Sequence, residues 1–253
     1  EEKRILSLPV RTMHDFYSFC QAAETYRDTG QLAWARRARK LMLQICDKIE
    51  KNPLHRMSWP DETNSWRIGC AWDVIEEAPV WSNAERLRCL NVLLNRLLSL
   101  RRHVSGWGIW HKADRITWNH TTFPLLGMYF LARYFQRFYP DLQPTLQPII
   151  AEVRGCFKAQ TRSWKPQEDA DGYMLLSPIH TIRYTLAEND YSYFESGNVR
   201  LWAEYVTAWC DNAGRNGGFG DSGYGRTAVH EKIALPWALW YYRDGRYLWR
   251  LQH

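Results

Sequence analysis

The sequence predicts an all-α fold of antiparallel helical hairpins, and three observations carry that expectation. Apolar residues recur at helical spacing in segment after segment. Runs in which β-branched residues alternate with polar ones are almost absent. The segments are joined by short and medium connections that carry helix start and stop residues. Hairpins of this kind stack as a helical toroid or an α-solenoid. No strict repeat of roughly 33 to 47 residues is visible, which argues against tetratricopeptide, ankyrin and HEAT arrays.

In chain order, segments 12–28 and 31–51 come first, the former followed by the stop residue Gly30 and the latter by Pro53. Trp59-Pro60-Asp61-Glu62 reads as a connection before segment 66–78. Ser82-Asn83 ahead of Ala84-Glu85 is a start signal for segment 83–103. After the connection Gly106-Trp107-Gly108-Ile109-Trp110-His111, Asn119-His120 stands at the entrance of segment 121–139, and Pro140 lies beyond it. Segment 142–160 is followed by Pro166 and by the connection from Gln167 to Tyr173. Segments 173–188 and 195–212 come next, and the Gly-rich connection from Gly217 to Gly223 leads into segment 226–242. The unusual residues therefore concentrate in connections, and alternate connections of stacked hairpins emerge on one face, where they could line one cleft.

Composition narrows the class further. The 253 residues are 45% apolar and 24% charged, which excludes disorder and a coiled coil and lies near the upper size of one hydrophobic core. Without a Gly- or Ser-rich linker or a charge block, one domain over 1–253 is the simplest division. No apolar run reaches the roughly 18 to 20 residues that span a bilayer, so a membrane protein is not expected. Glu1-Glu2-Lys3-Arg4 lacks the order of a signal peptide, while an earlier removal of a leader would leave secretion open. The aromatic content, 14 Trp, 14 Tyr and 9 Phe, suits a core and equally a groove that stacks sugar rings or bases. A net charge of +6 favours polyanions, and an acidic polysaccharide and a nucleic acid both fit. Cys20, Cys46, Cys70, Cys89, Cys156 and Cys210 show no C-x-x-C and no zinc spacing. They are expected to be mostly free core thiols, with at most one or two disulfides if the protein is exported.

Three constellations could carry chemistry. The stretch Arg115-Ile116-Thr117-Trp118-Asn119-His120 sets two neighbouring donors at a helix entrance, of the kind that neutralise a carboxylate. Asn119 equally suits a helix cap, and Asn119-His120-Thr121 matches the N-glycosylation sequon. The stretch from Gln167 to Tyr193 holds Glu168, Asp169, Asp171, Tyr173, His180, Arg183, Tyr184, Glu188, Asp190 and Tyr191. His180, Arg183 and Tyr184 share one helix face by spacing, and a cation beside a phenol favours phenolate, which would make Tyr184 a better base. A solvated or hydrogen-bonded helix face is the plainer account, and the carboxylates could instead form a glycosidase acid and base pair. Gly218-Phe219-Gly220-Asp221-Ser222-Gly223 matches G-x-G-x-x-G in letters, but it follows a helix rather than a strand, so a tight turn presenting Asp221 is the better reading. Serine-hydrolase elbows, H-E-x-x-H and P-loops are absent from the sequence.

Trp118-Asn119-His120 at a helix entrance, Asp171-Gly172-Tyr173 downstream and Gly218-Phe219-Gly220-Asp221-Ser222 together resemble the helical-toroid domain of polysaccharide lyases, especially the heparinase II/III-like and alginate-lyase-like groups. With nine helical segments against the six pairs of a full ring, the resemblance implies an incomplete (α/α) toroid. It also implies β-elimination at a uronic acid, in which the C5 proton is removed, a C4–C5 double bond forms and the bond from O4 to the departing sugar breaks. Asn119 and His120 match the pair that neutralises the uronate carboxylate. Tyr184, with His180 as partner, fits the base, and Tyr173 and Tyr191 compete for that role. Arg115, Trp118, Arg183, Trp107, Trp110, Glu168, Asp171, Tyr191 and Asp221 would bind the polymer in a basic, aromatic cleft. The segment after Asp171-Gly172, Met174-Leu175-Leu176-Ser177-Pro178, departs from the family's usual acidic or Gln-His residues. The resemblance implies an acidic polysaccharide as partner rather than nucleic acid or membrane, no cofactor and no metal, and a secreted or periplasmic location. Relatives usually add a β-sandwich, so a fragment of a larger lyase is compatible with the chain. A toroid glycoside hydrolase, of the unsaturated-uronyl or a related kind, using Asp171 or Asp169 with Asp221, and a non-catalytic glycan-binding module are the alternatives.

Overall fold

The computed structural model describes residues 2–7, 15–51, 59–106, 119–164, 173–209 and 229–252. The described residues are helical almost throughout and contain no strand, as the apolar periodicity predicts. They group into two compact units, Glu1–His111 with Phe123–Ala151, and Lys112–Thr122 with Glu152–His253. Both later divisions fall inside helices, where linker composition has nothing to mark.

The first unit holds α1 (Glu2–Ser7), α2 (Asp15–Thr29), α3 (Leu32–Lys51), α4 (Trp59–Ile75), α5 (Asn83–Gly106), most of α6 (Asn119–Phe138) and, after a 3-10 turn at Pro140–Leu142, the start of α7 (Gln143–Gln160). α2 and α3 form a hairpin through Gly30, whose φ of +67° ends α2 and whose N–H donates to the Tyr26 carbonyl at 2.7 Å. α2 also packs on α4, and α3 packs on α1 and α5. The start of α5 is a capping box: the Ser82 N–H donates to Glu85 Oε2 at 2.9 Å, and the Glu85 N–H donates to Ser82 Oγ at 3.3 Å. Arg39 of α3 donates to the same carboxylate, with Nε at 3.1 Å from Oε2, and so ties the two helices together. Trp59-Pro60-Asp61-Glu62, expected in a connection, instead opens α4. Proline is accommodated there because a first-turn N–H has no intrahelical acceptor.

α4 and α6 approach closely at Gly69, where a Cβ would come within 3.2 Å of the Leu131 backbone nitrogen. Near this crossing the fully buried Trp72 donates its indole N–H to Tyr134 Oη at 3.0 Å, and Tyr134 donates to the Glu76 carboxylate. Burial raises the Glu76 carboxyl above its ordinary range, and the Tyr134 hydrogen bond opposes that rise.

The second unit holds the remainder of α7, α8 (Leu176–Ala187), α9 (Ser192–Glu195), α10 (Asn198–Ala208), α11 (Val229–Tyr242) and α12 (Gly245–Gln252), together with the first turn of α6. Ile179, Ile182, Phe194, Trp202, Leu235 and Tyr247 lie in its core. The helix expected over 195–212 corresponds to α10 and begins later, at Asn198, because Gly197 just before it adopts a φ of +80°. α12, beyond the last expected segment, begins where Asp244 Oδ1 accepts the Arg246 N–H at 3.0 Å. Cys20, Cys46, Cys89 and Cys156 are buried free thiols and Cys70 is an exposed one; Cys210 lies outside the described residues. No helix among the described residues is long and apolar enough to cross a membrane.

Candidate functional site

Asn119 and His120 are the first two residues of α6, and the buried Thr121 and Thr122 complete its first turn. A helix start presents backbone N–H groups without intrahelical partners and the positive end of the helix dipole, both of which favour an anion. Pro124 supplies no N–H to the His120 carbonyl, so this turn is held by fewer internal bonds than an ordinary one. Residues 119–122 belong to the second unit, the same unit as Tyr173 and α8, although the rest of α6 belongs to the first.

α8 carries His180, Arg183 and Tyr184, and the structure separates their roles. His180 is 1% exposed and Tyr184 6%, so both are core residues of the second unit. The Tyr184 ring lies flat on Phe157 of α7, with centroids 4.6 Å apart and planes inclined by 12°. Arg183 places its guanidinium 5.7 Å from the centroid of Trp237 in α11. The charged neighbours of the Tyr184 phenol are instead Glu188 and Arg154, which bond each other with Arg154 Nε at 3.2 Å from Glu188 Oε2. The acidified phenol expected from the i, i+3, i+4 spacing is therefore corrected. Burial pushes the Tyr184 hydroxyl up to about 12, and Arg154 does not reverse this.

The other two candidate phenols differ in access. Tyr173 is half-buried in the turn that opens α8, where its carbonyl accepts the Leu176 N–H at 3.1 Å. Tyr191 is 37% exposed just before α9 and faces two aromatic residues of α11, with ring centroids 6.3 Å from both Trp240 and Tyr241. Trp240 is itself 45% exposed, and Phe194 backs the group at 4.8 Å from Tyr241. Sequence reasoning missed this surface, because an aromatic position within an apolar helix reads as core until the neighbouring element is placed.

Trp107, Trp110, Arg115, Trp118, Glu168, Asp169, Asp171 and Asp221 lie outside the described residues, and with them the expected gathering of Trp107, Trp110, Trp118 and Arg115 beside Arg183. Among the described residues no group of three or more His, Cys, Asp or Glu side chains could hold a metal ion. In comparisons with known proteins the chain matches no family model, no curated sequence and no solved structure.

Proposed function

We propose that this chain is a polysaccharide lyase that cleaves a uronate-containing glycan by β-elimination, within an incomplete toroid of helical hairpins. One observation carries the reading: Asn119-His120, which opens α6, shares a compact unit with Tyr173 and α8 despite the intervening sequence. A uronate C5 proton is weakly acidic because the adjacent carboxylate is already charged, so donors at that carboxylate are what the reaction needs first. Asn119 and His120 supply them, beside the positive end of α6. A base then takes the C5 proton, the C–H electron pair forms the C4–C5 double bond, and O4 leaves with the departing sugar and gains a proton. Tyr173 is the base in this reading, since Tyr184 is buried with a raised pKa. Tyr191 and Trp240 are exposed aromatic residues against which a pyranose can pack, and a secreted or periplasmic location suits such a substrate.

The experiment is incubation with heparan sulfate, chondroitin, hyaluronan, alginate, ulvan and pectin in turn, with ultraviolet absorbance recorded throughout. The new double bond is conjugated with the carboxylate, so absorbance should grow with at least one polymer. New reducing ends without absorbance would replace the lyase with a hydrolase. Binding without any cleavage would leave a glycan-binding module.

A further inference from the structure

We infer that Cys46 and Cys89 are a disulfide-forming pair that cross-links α3 to α5 when the protein meets a disulfide oxidant. Their sulfurs lie 3.8 Å apart in the first unit, and both residues are fully buried. A disulfide has an S–S length of about 2.0 Å, so bond formation needs side-chain rotation and a small approach of two helices already in contact.

Ion pairs join the same two helices close to the thiols. One turn toward the start of α5, Arg39 holds Glu85. Next to the thiols, Arg88 donates to Asp47 and to Glu50, with Nε at 2.9 Å from Glu50 Oε1. Residues adjacent to both cysteines are thus clasped across the same pair of helices, and the cross-link requires no sliding of one helix along the other. Hydrogen bonding with Cys89, assisted by the Arg88 charge, also holds the Cys46 thiol below the ordinary thiol range.

The chemistry balances with an oxidised low-molecular-weight thiol such as glutathione disulfide. Cys46 loses its proton and attacks one glutathione sulfur, which forms a mixed disulfide and expels a glutathione thiolate. Cys89 loses its proton and attacks the Cys46 sulfur, which forms the protein disulfide and expels the second thiolate. The two protons end on the two glutathione molecules, so the protein loses two hydrogens and glutathione disulfide gains two. Because both sulfurs are buried, exchange proceeds during folding or in a transient opening of the first unit. Once the unit closes, the finished bond is shielded from reductant.

The test is to refold the full-length chain from denaturant in glutathione and glutathione disulfide, quench with acid, and count thiols under denaturing conditions. The reduced chain has six. Two fewer are expected after oxidation, with a non-reduced peptide map that joins the Cys46 and Cys89 peptides. The oxidised protein should melt roughly 10 °C above the reduced one, and the difference should vanish in Cys89→Ala. Six remaining thiols, or a map that joins other cysteines, would overturn the proposal. Both readouts use the unsubstituted protein, so they stand even if Cys89→Ala fails to fold.

Discussion

Tyr134→Phe should destabilise the protein by about 2 to 4 kcal/mol at neutral pH. The hydroxyl accepts the Trp72 indole N–H at 3.0 Å and donates to the Glu76 carboxylate. Trp72 is fully buried, so loss of this acceptor costs about 1 to 3 kcal/mol. A hydrogen bond to a charged group is worth roughly 1.5 to 3 kcal/mol, reduced here because half-buried Glu76 regains some water. The ring is retained, and with it the contacts to Phe135 and Phe138 at centroid distances of 5.3 and 5.1 Å, so the loss is confined to polar interactions. The deficit should depend on pH with a definite sign. Burial raises the Glu76 pKa in the folded state, so its protonated form favours folding and its ionised form opposes it. The Tyr134 hydroxyl eases that opposition by stabilising the carboxylate, and its removal raises the folded pKa further. The deficit is therefore largest at neutral pH and shrinks as pH falls through the folded Glu76 pKa. Urea unfolding followed by circular dichroism at about pH 7.5 and about pH 4 measures both quantities. A deficit under about 0.5 kcal/mol at neutral pH, or one that grows on acidification, refutes the reasoning.

Three further outcomes are expected. His120→Ala should lower turnover of the uronate polymer at least about a hundredfold with an unchanged melting temperature, as loss of one preorganised donor does; a lower melting temperature with activity retained per folded molecule would mark a structural role instead. Tyr173→Phe should abolish the ultraviolet signal and Tyr184→Phe should spare it, and the reverse pattern would return the base to Tyr184. Glu85→Ala should cost about 1 to 2 kcal/mol at pH 7, because it removes the carboxylate half of the capping box and the Arg39 contact together, while the backbone N–H of residue 85 keeps its bond to Ser82 Oγ. Those contacts, Arg39 foremost, hold the Glu85 carboxyl down at about 2, so its stabilisation is present above the unfolded value of 4.5 and lost as pH falls toward 2, where wild type and variant should converge.

The hairpin skeleton was legible wherever a local rule decides the backbone. Gly30 and the pair Ser82 and Glu85 act through residues three or four positions away, and both were readable. Gly197 and Asp244 act just as locally, yet Gly197 sits within an apolar period that masks the break, and Asp244 follows Arg243, which itself takes a φ of +56°. Burial was harder to read. The spacing of His180, Arg183 and Tyr184 placed them together on α8, but Phe157 of α7 and Trp237 of α11 determine their surroundings, and neither is a sequence neighbour. The same holds for Tyr191, whose ring neighbours come from α11. Of the candidate site, the α6 entrance and the three competing phenols were legible as positions; the accessibility of the phenols required the fold.

The division of α6 has a bearing on synthesis. The first unit draws Gly69 and Trp72 from α4 but their partners Leu131 and Tyr134 from α6, so it is not a contiguous stretch of chain. When residue 111 has been polymerised, that face of α4 still lacks its cover. At about 5 to 20 residues per second, the chain needs on the order of 2 to 8 s to reach residue 151, where the first unit ends. During that interval a nascent chain presents an uncovered indole and a bare glycine groove to the ribosome exit and its chaperones. The helix that covers this face of α4, α6, thus begins with a turn that belongs to a body not yet made.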